Sequence, residues 1–153
     1  MLSEVIKIKV RFSEIDSLKI VWHGNYLRYM EDAREAFCNK FGLGYRMMYE
    51  HGYMAPLYDI RMKYRGVVSL DDEIFVKITY VESKGARLMF DYEMTNANTG
   101  KVIFSAETTQ LFMTLDGTFS PAAPDFFVEW KQKMDYDADS ELLHYCRVGK
   151  TWQ

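Results

Sequence analysis

The chain has 153 residues, of which 48% are hydrophobic, and it contains 10 Phe, 11 Tyr and 3 Trp. This length and apolar content predict a single folded domain, residues 1–153, and argue against disorder over most of the chain. The formal net charge is -3 and no basic stripe is present, which argues against nucleic acid as a partner.

The two cysteines, Cys38 and Cys146, have no paired spacing, which argues against a disulfide framework and against a zinc site. The sequence has no phosphate-binding glycine loop and no metal-ligand pattern, so we expect neither a metal nor a cofactor. The first residues lack the apolar core of a signal peptide, and no apolar run approaches the roughly 18 residues of a membrane span. We therefore expect a cytoplasmic protein without a membrane span.

The first predicted element is a strand over residues 6–12, where apolar and basic residues alternate. Over residues 25–41 the apolar residues recur at steps of three and four, which predicts a helix with one apolar face. Gly42 is the expected stop of this helix, and residues 44–52 predict a short second helix.

After Pro56 the helical period disappears and four alternating segments follow, over residues 58–64, 74–80, 88–94 and 102–115. The links SKGA and NANTG are typical of hairpin turns, so the last three segments predict an antiparallel meander. Pro124 opens a predicted helix over residues 124–134, and DYDADSE follows as an acidic connector.

One helix with a strongly apolar face requires a sheet to cover it, and five twisted strands can curl around it. The element order therefore predicts an α+β fold with the helix inside the curve of the sheet.

The stretch FSEIDSLKIVWHGNYLRYMEDARE places Glu14, Asp16, His23 and Tyr26 at the junction between the first strand and the long helix. The pattern D-x6-H-x2-Y at this junction resembles the hotdog-fold acyl-CoA thioesterases of the 4-hydroxybenzoyl-CoA thioesterase family. The segments VRFSE, YMEDARE and RMKYRGVVSLDDEI are similar to that family as well, and the likeness covers about residues 5–115. The resemblance implies a curved five-stranded antiparallel sheet around a central helix, with an acyl-CoA substrate.

The resemblance also implies a homodimer or homotetramer whose active site lies between two chains. Two departures from the family pattern stand near the acid. Ile15 precedes Asp16 where the family usually has Thr or Ser, and Leu18 and Lys19 occupy a loop that usually contains glycine.

The chemistry of a thioester needs a nucleophile or base and a site for the oxyanion. Asp16 either attacks the carbonyl and forms a mixed anhydride or deprotonates a water molecule, and the sequence leaves both routes open. The free N–H groups at the start of the helix, at His23 and Gly24, are expected to polarise the carbonyl, an effect of roughly 3 kcal/mol.

Each of these residues also has a structural interpretation. Asp16 is of a type that caps local turns, and the ring of His23 is as readily structural as functional. Tyr26 is a candidate for substrate binding, although core packing is its default. Glu14 either raises the pKa of Asp16 or forms a salt bridge at the surface or an interface. Cys38 is expected to be a buried thiol without a catalytic role.

Coenzyme A carries phosphates, so a basic rim is expected. The candidates for it are Arg61, Lys63 and Arg65 on one side of a strand and Lys19 in the motif loop. An acyl carrier protein is an alternative source of the thioester. A hotdog dehydratase and a non-catalytic acyl-CoA-binding module are the two alternatives of other classes. The retained Asp16 argues against the binding module.

Overall fold

The structure, a computed structural model, describes residues 2–134. Its helices are α1 (Asn25–Phe41), α2 (Tyr45–Glu50) and a C-terminal helix over residues 125–134, and a 3-10 turn spans Phe12–Glu14. The strands are β1 (Ser3–Lys9), β2 (Tyr53–Met54), β3 (Leu57–Tyr64), β4 (Glu73–Val81), β5 (Arg87–Asn96), β6 (Val102–Leu111) and β7 (Met113–Thr114). The predicted acidic connector and Cys146 lie outside the described residues.

The main sheet has five strands in the order β1-β4-β5-β6-β3, and every neighbouring pair is antiparallel. The predicted meander is confirmed, because β4, β5 and β6 are joined through the two predicted turns. β1 and β3 form the two edges of this sheet, and β2 and β7 pair separately.

Helix α1 has the predicted bounds and packs its apolar face against the sheet. Gly42 ends it in the left-handed region at φ 70°, a conformation that glycine adopts without a Cβ penalty. The ring of Phe37 lies 5.1 Å from that of Phe90 on β5, and the ring of Tyr26 lies 4.9 Å from that of Phe104 on β6. The predicted α+β arrangement of one long helix on a five-stranded antiparallel sheet is therefore confirmed.

The predicted end of the first strand is wrong. β1 stops at Lys9, and Phe12 lies in the 3-10 turn with 79% of its surface exposed. The Glu14 carboxylate accepts a hydrogen bond of 2.8 Å from the N–H of Arg11 and stabilises this turn. The alternating sequence pattern predicted a strand as far as Phe12 because such a pattern contains no information about a local side-chain cap.

The predicted long last strand is also divided. Phe112 leaves the ladder, its N–H donates to the carbonyl of Ala86 at 3.1 Å, and the chain then pairs as β7 with β2. The break lets the chain change partner after β6.

The C-terminal helix confirms the prediction made for residues 124–134. Its Trp130 indole N–H donates to the carbonyl of Phe41 at 2.7 Å, and its Phe127 ring packs 4.7 Å from that of Phe112. It therefore covers the carboxyl end of α1 and leaves the opposite end, the start of α1, uncovered by this helix. Within residues 2–134, no helix combines the length and apolarity that a membrane crossing needs.

Candidate active site

The residues between β1 and α1 form a tight loop that carries Asp16. The N–H of Trp22 donates to the carbonyl of Glu14 at 2.9 Å, and the N–H of Asp16 donates to the carbonyl of Ile20 at 2.9 Å. The two arms of this loop therefore run antiparallel. Asp16 lies toward its closed end, and Trp22 lies at its base beside α1.

One carboxylate oxygen of Asp16 is used within the loop. Its Oδ1 accepts a hydrogen bond of 2.8 Å from the N–H of Leu18, and Lys19 adopts a φ of 63° to close the turn. Oδ1 of Asp16 therefore caps the turn, as the structural interpretation of this residue predicted. In the described part of the chain no group donates to its Oδ2, so that oxygen is available to water or substrate.

Two hydrogen bonds hold the start of α1 against the loop. The N–H of Asn25 donates to the carbonyl of Trp22 at 2.9 Å, and its side-chain amide donates to the carbonyl of Glu14 at 2.7 Å. Asn25 is only 5% exposed, so this side chain acts as an internal brace. Sequence reasoning missed its role because an Asn at a helix start usually caps its own helix.

The N–H groups of His23 and Gly24 have no described acceptor, backbone or side chain. They stand at the amino end of a helix of 17 residues, where the helix dipole leaves partial positive charge. The geometry thus provides two adjacent donors for a developing negative charge.

The carbonyl of His23 is fixed from the sheet. It accepts a hydrogen bond of 2.7 Å from the hydroxyl of Tyr64, the last residue of β3. In a trans peptide the C=O and the following N–H point in opposite directions, so this bond also orients the N–H of Gly24. The imidazole of His23 is exposed and lies 5.0 Å from the ring of Trp22.

Tyr26 is packed in the core rather than presented at the surface. It is 3% exposed, stacks on Phe104 and meets the Tyr64 ring edge-on at 5.2 Å. Burial, with a smaller contribution from Tyr64, raises the pKa of Tyr26 to about 12. The predicted contact of Tyr26 with substrate therefore concerns a side chain with little open surface, and it stays a prediction.

The carboxylate of Glu14 forms a hydrogen bond within the loop and no ion pair with a described residue. Its carboxylate caps the turn at Arg11, and no described cation lies within salt-bridge distance of it. Burial raises the pKa of the neighbouring Tyr29 hydroxyl, and the negative charge of Glu14 adds to that effect.

Lys63 and Arg65 lie on the sheet face opposite α1. Tyr64 points to the helix side, and side chains alternate along a strand, so Lys63 points outward. The Nε of Arg65 donates to the hydroxyl of Ser105 at 3.0 Å, which places it on the same outer face. Both line a shallow cavity of about 590 Å³, so the structure does not bring them to the helix side where His23 and Gly24 lie.

A second cavity, of about 500 Å³, lies between α1, α2 and β2, and we call it the α1–α2 groove. Its walls are Glu31, Asp32, Arg34, Glu35, Cys38, Asn39, Leu43, Gly44, Tyr45, Met48, Tyr49, Tyr53, Met54, Ala55, Leu88 and Gln110. Gln110 is 5% exposed, and its Nε2 donates to the carbonyl of Ala55 at 2.6 Å. Its Oε1 is buried without a described partner. The strand pattern gave no signal for this groove.

Cys38 lines the same groove as a partly buried thiol. Burial raises its pKa to about 11, the neighbouring Arg34 offsets part of this rise, and Glu31 makes a smaller upward contribution. A neutral thiol is a poor nucleophile, and the absence of a catalytic role for Cys38 stays a prediction. Within residues 2–134, no group of three or more His, Cys, Asp or Glu side chains is placed to hold a metal ion.

The family model described as the thioesterase-like superfamily matches residues 10–131, which include the Asp16 loop, α1 and the sheet strands β3 to β6. The chain belongs to the thioesterase-like superfamily.

Two curated members of similar length match in sequence. The Bacillus subtilis protein YneP, named as a candidate acyl-CoA thioesterase, is 25% identical over 130 residues, which cover 82% of this chain and 94% of that protein. An Aquifex aeolicus protein named as a candidate esterase is 31% identical over 88 residues, 58% of this chain and 69% of that protein.

Solved structures of thioesterases share the fold. DHNA-CoA thioesterase from Staphylococcus aureus is 25% identical with a TM-score of 0.76, and the match covers 99% of this chain and 98% of that one. A 4-hydroxybenzoyl CoA thioesterase in complex with 4-hydroxybenzoyl CoA is 20% identical with a TM-score of 0.75, covering 85% of this chain and 99% of that one. The fold of this thioesterase-superfamily chain is therefore the hotdog-like one.

Proposed function

We propose that this protein hydrolyses acyl-CoA thioesters to a free acid and coenzyme A. The observation that carries the proposal is the Asp16 loop, which leads directly into two free N–H groups at the start of α1 within the family-matched region. The names of YneP and of the Staphylococcus aureus enzyme, which specify acyl-CoA substrates, support the same substrate class.

The N–H groups of His23 and Gly24 act on the thioester oxygen. A carbonyl oxygen placed at the start of α1 accepts their hydrogen bonds and lies in the positive field of the helix dipole. Its partial negative charge grows as the tetrahedral intermediate forms, so these donors stabilise the transition state more than the ground state.

Asp16 supplies the second component through its free Oδ2. On the nucleophilic route Oδ2 attacks the carbonyl carbon, the carbon–sulfur bond breaks to release the CoA thiolate, and water then hydrolyses the mixed anhydride. On the general-base route Oδ2 takes a proton from water as that water attacks, and the same carbon–sulfur bond breaks. Both routes need the carboxylate and no cofactor.

We further propose a homodimer formed through β3. This strand is an edge of the five-stranded sheet, and its apolar Leu57, Tyr58 and Tyr64 are exposed. An unpaired strand edge with exposed apolar side chains favours pairing with a second strand, and antiparallel β3–β3 pairing about a two-fold axis satisfies both copies equally. A homotetramer built from two such dimers remains part of the proposal.

Such a dimer completes the site from two chains. Antiparallel pairing puts the Tyr64 end of one β3 against the Leu57 end of the other. Tyr64 contacts His23, whereas Leu57 pairs with Gln110 at the α1–α2 groove. The start of α1 in one protomer therefore faces the groove of its partner, and we propose that this groove receives the acyl group.

Lys63 and Arg65 are proposed to bind the phosphates of coenzyme A. Arg65 lies just past the end of β3, and Tyr64 at that end contacts His23, so a long pantetheine chain that leaves the start of α1 can reach the outer face beyond the end of the paired strands. Arg61 and Lys77 add positive charge on that face, where Asp91, Glu93 and Glu107 also line the cavity.

The test is thiol release from short, long and aromatic acyl-CoAs by the wild type and by Asp16→Asn. We expect turnover by the wild type and a loss of at least about a hundredfold in kcat for the variant. Asp71→Asn is the matched control, because it makes the same change at an exposed residue with φ 66°, which asparagine tolerates. Equal turnover by Asp16→Asn and the wild type would overturn the role of Asp16. Turnover of acyl carrier protein thioesters alone would replace coenzyme A as the thiol partner.

A further inference from the structure

The side chain of Trp22 lies on the backbone of Gly24, at the start of α1. A Cβ on Gly24 would lie 2.2 Å from Cζ3, 2.4 Å from Cη2 and 2.8 Å from Cε3 of the Trp22 indole. Real contacts of a Cβ atom are never this short, so the indole occupies the space that any other residue at position 24 would need. The backbone of Gly24 is in the ordinary right-handed region, so the reason for glycine here is this contact and not its φ angle.

The backbone of Trp22 is fixed from both sides. Its N–H donates to the carbonyl of Glu14 and its carbonyl accepts from the N–H of Asn25, each at 2.9 Å. The indole also packs at 5.0 Å from the ring of His23. The ring is therefore held over His23 and Gly24, the two residues whose N–H groups are proposed to bind the carbonyl.

The other side of the indole is open. Trp22 is 48% exposed, although indole is among the most apolar side-chain groups. With standard bond lengths and angles at Gly24, the nearest atom of the Trp22 indole lies within about 5 Å of the Gly24 amide nitrogen. A carbonyl oxygen that binds this N–H at about 2.9 Å therefore brings its substituents into reach of the ring.

We propose that Trp22 is a specificity-determining residue whose indole packs against the acyl group of the thioester and favours flat acyl groups. This inference rests on the proposed function, since it takes the N–H of Gly24 as the binding site of the carbonyl. Aromatic groups gain from offset or edge-on packing on an indole beyond their area of contact, whereas a flexible alkyl chain must be ordered to make the same contact.

The first measurement compares kcat/KM for benzoyl-CoA and hexanoyl-CoA in the wild type, Trp22→Ala and Trp22→Phe. We expect Trp22→Ala to lower kcat/KM for benzoyl-CoA on the order of tenfold and to leave hexanoyl-CoA within about threefold. Trp22→Phe keeps an aromatic ring, so it should retain part of the preference. Phe12→Ala is the matched control, because Phe12 is an exposed ring in the same segment and the atoms nearest to the Cβ position of Gly24 all belong to Trp22.

The second measurement is a double-mutant cycle with Gly24→Ala. The colliding atoms are the far end of a side chain, so the new methyl group displaces the indole and leaves the N–H in place. We expect Gly24→Ala to shift the benzoyl-to-hexanoyl ratio as Trp22→Ala does, and the double variant to shift it no further. Additive effects of the two substitutions on this ratio would overturn the contact.

The outcomes separate this inference from the proposed function. An unchanged benzoyl-to-hexanoyl ratio in Trp22→Ala, with an active wild type, refutes the role of Trp22 and leaves the thioesterase intact. An equal fall in kcat/KM for both substrates would mean that the indole contacts the pantetheine portion and not the acyl group. This result also refutes the proposed role of Trp22. A wild type that turns over other acyl-CoAs but neither of these two, while Trp22 fluorescence in a Trp130→Phe and Trp152→Phe background does not respond to benzoyl-CoA, refutes the role of Trp22 and leaves the thioesterase intact. Inactivity on every short, long and aromatic acyl-CoA refutes both.

Discussion

The hydroxyl of Tyr64 donates a hydrogen bond of 2.7 Å to the carbonyl oxygen of His23, and this bond joins β3 to the start of α1. We expect Tyr64→Phe to lower kcat about fivefold with little change in KM, because a hydrogen bond of this kind contributes about 1 kcal/mol. Tyr64 is thus a positioning residue for the Gly24 N–H.

Tyr58→Phe is the control, because Tyr58 is an exposed tyrosine of the same strand whose hydroxyl makes no described hydrogen bond. Steady-state kinetics and thermal unfolding of both variants check this. A rise in KM at constant kcat in Tyr64→Phe would contradict the positioning role.

The proposed composite site predicts complementation between two inactive variants. Asp16→Asn disables the loop, and Asn39→Trp fills the α1–α2 groove from an exposed position on α1. A mixed dimer has one intact pair of loop and groove out of two, and random pairing makes about half of all dimers mixed. Co-refolding equal amounts of the two variants should therefore restore about a quarter of the wild-type activity. Thiol release before and after mixing measures it, and light scattering gives the oligomeric state. No recovery from mixtures shown to contain mixed dimers would contradict the shared site.

If Lys63 and Arg65 bind phosphates on the outer face, their removal should affect only substrates that carry the nucleotide phosphates. Lys63→Ala combined with Arg65→Ala should raise KM for acyl-CoA about tenfold or more and leave KM for the matching acyl-pantetheine unchanged, since pantetheine lacks the nucleotide phosphates. Raised salt should reduce the difference. Lys84→Ala combined with Lys101→Ala is the control, because both lysines are exposed and lie outside this cavity. Equal KM changes for both substrates would contradict phosphate binding.

The raised pKa of Tyr26 predicts that the folded protein loses stability at high pH. Burial raises its pKa from an ordinary value near 10 to about 12, so the folded chain holds this proton more tightly than the unfolded chain does. Its contribution is complete below about pH 10 and falls as the pH rises toward 12. Urea unfolding should show the wild type losing roughly 2 kcal/mol more than Tyr26→Phe across this window. Parallel curves for the two proteins would contradict it.

Cys38 is predicted to react slowly, since burial raises the pKa of its thiol to about 11. In a Cys146→Ser background, the labelling rate with iodoacetamide at pH 8 should lie at least about tenfold below that of free cysteine. Rapid labelling of the folded protein, checked by mass spectrometry, would be inconsistent with this environment.

Periodicity predicted the regular elements well, because α1 and the meander are each defined by residues close in sequence. Its errors were local. The end of β1 depends on the cap that Glu14 provides at Arg11, and the break at Phe112 depends on the carbonyl of Ala86. Neither partner is visible in an alternating pattern. The single domain over residues 1–153, the oligomer and the cytoplasmic location stay predictions.

The junction motif placed the candidate site at the start of α1, which lies within the family-matched residues 10–131, and this location stays a prediction. The contacts that hold it were not predictable, because they link distant positions. Tyr64 reaches His23 from β3, and the brace from Asn25 looks like an ordinary helix start in sequence. The outward direction of Lys63 depends on which face of β3 meets the helix, and periodicity cannot assign that face.

The pairing order of the sheet has a consequence for how the site assembles. β4, β5 and β6 join through short turns, whereas β3 meets β6 only after the intervening strands are in place. Contacts between near neighbours in sequence form fastest, so the meander is expected to fold first and β3 to dock late. Edge segments also open at lower free energy than a sheet's centre. Before two protomers associate, the amides of β3 should therefore exchange with deuterium before those of β5, and each opening of β3 breaks the hydrogen bond from Tyr64 that holds the carbonyl of His23 while the core stays folded. Pairing of β3 with β3 of a second protomer in the proposed dimer should slow this exchange.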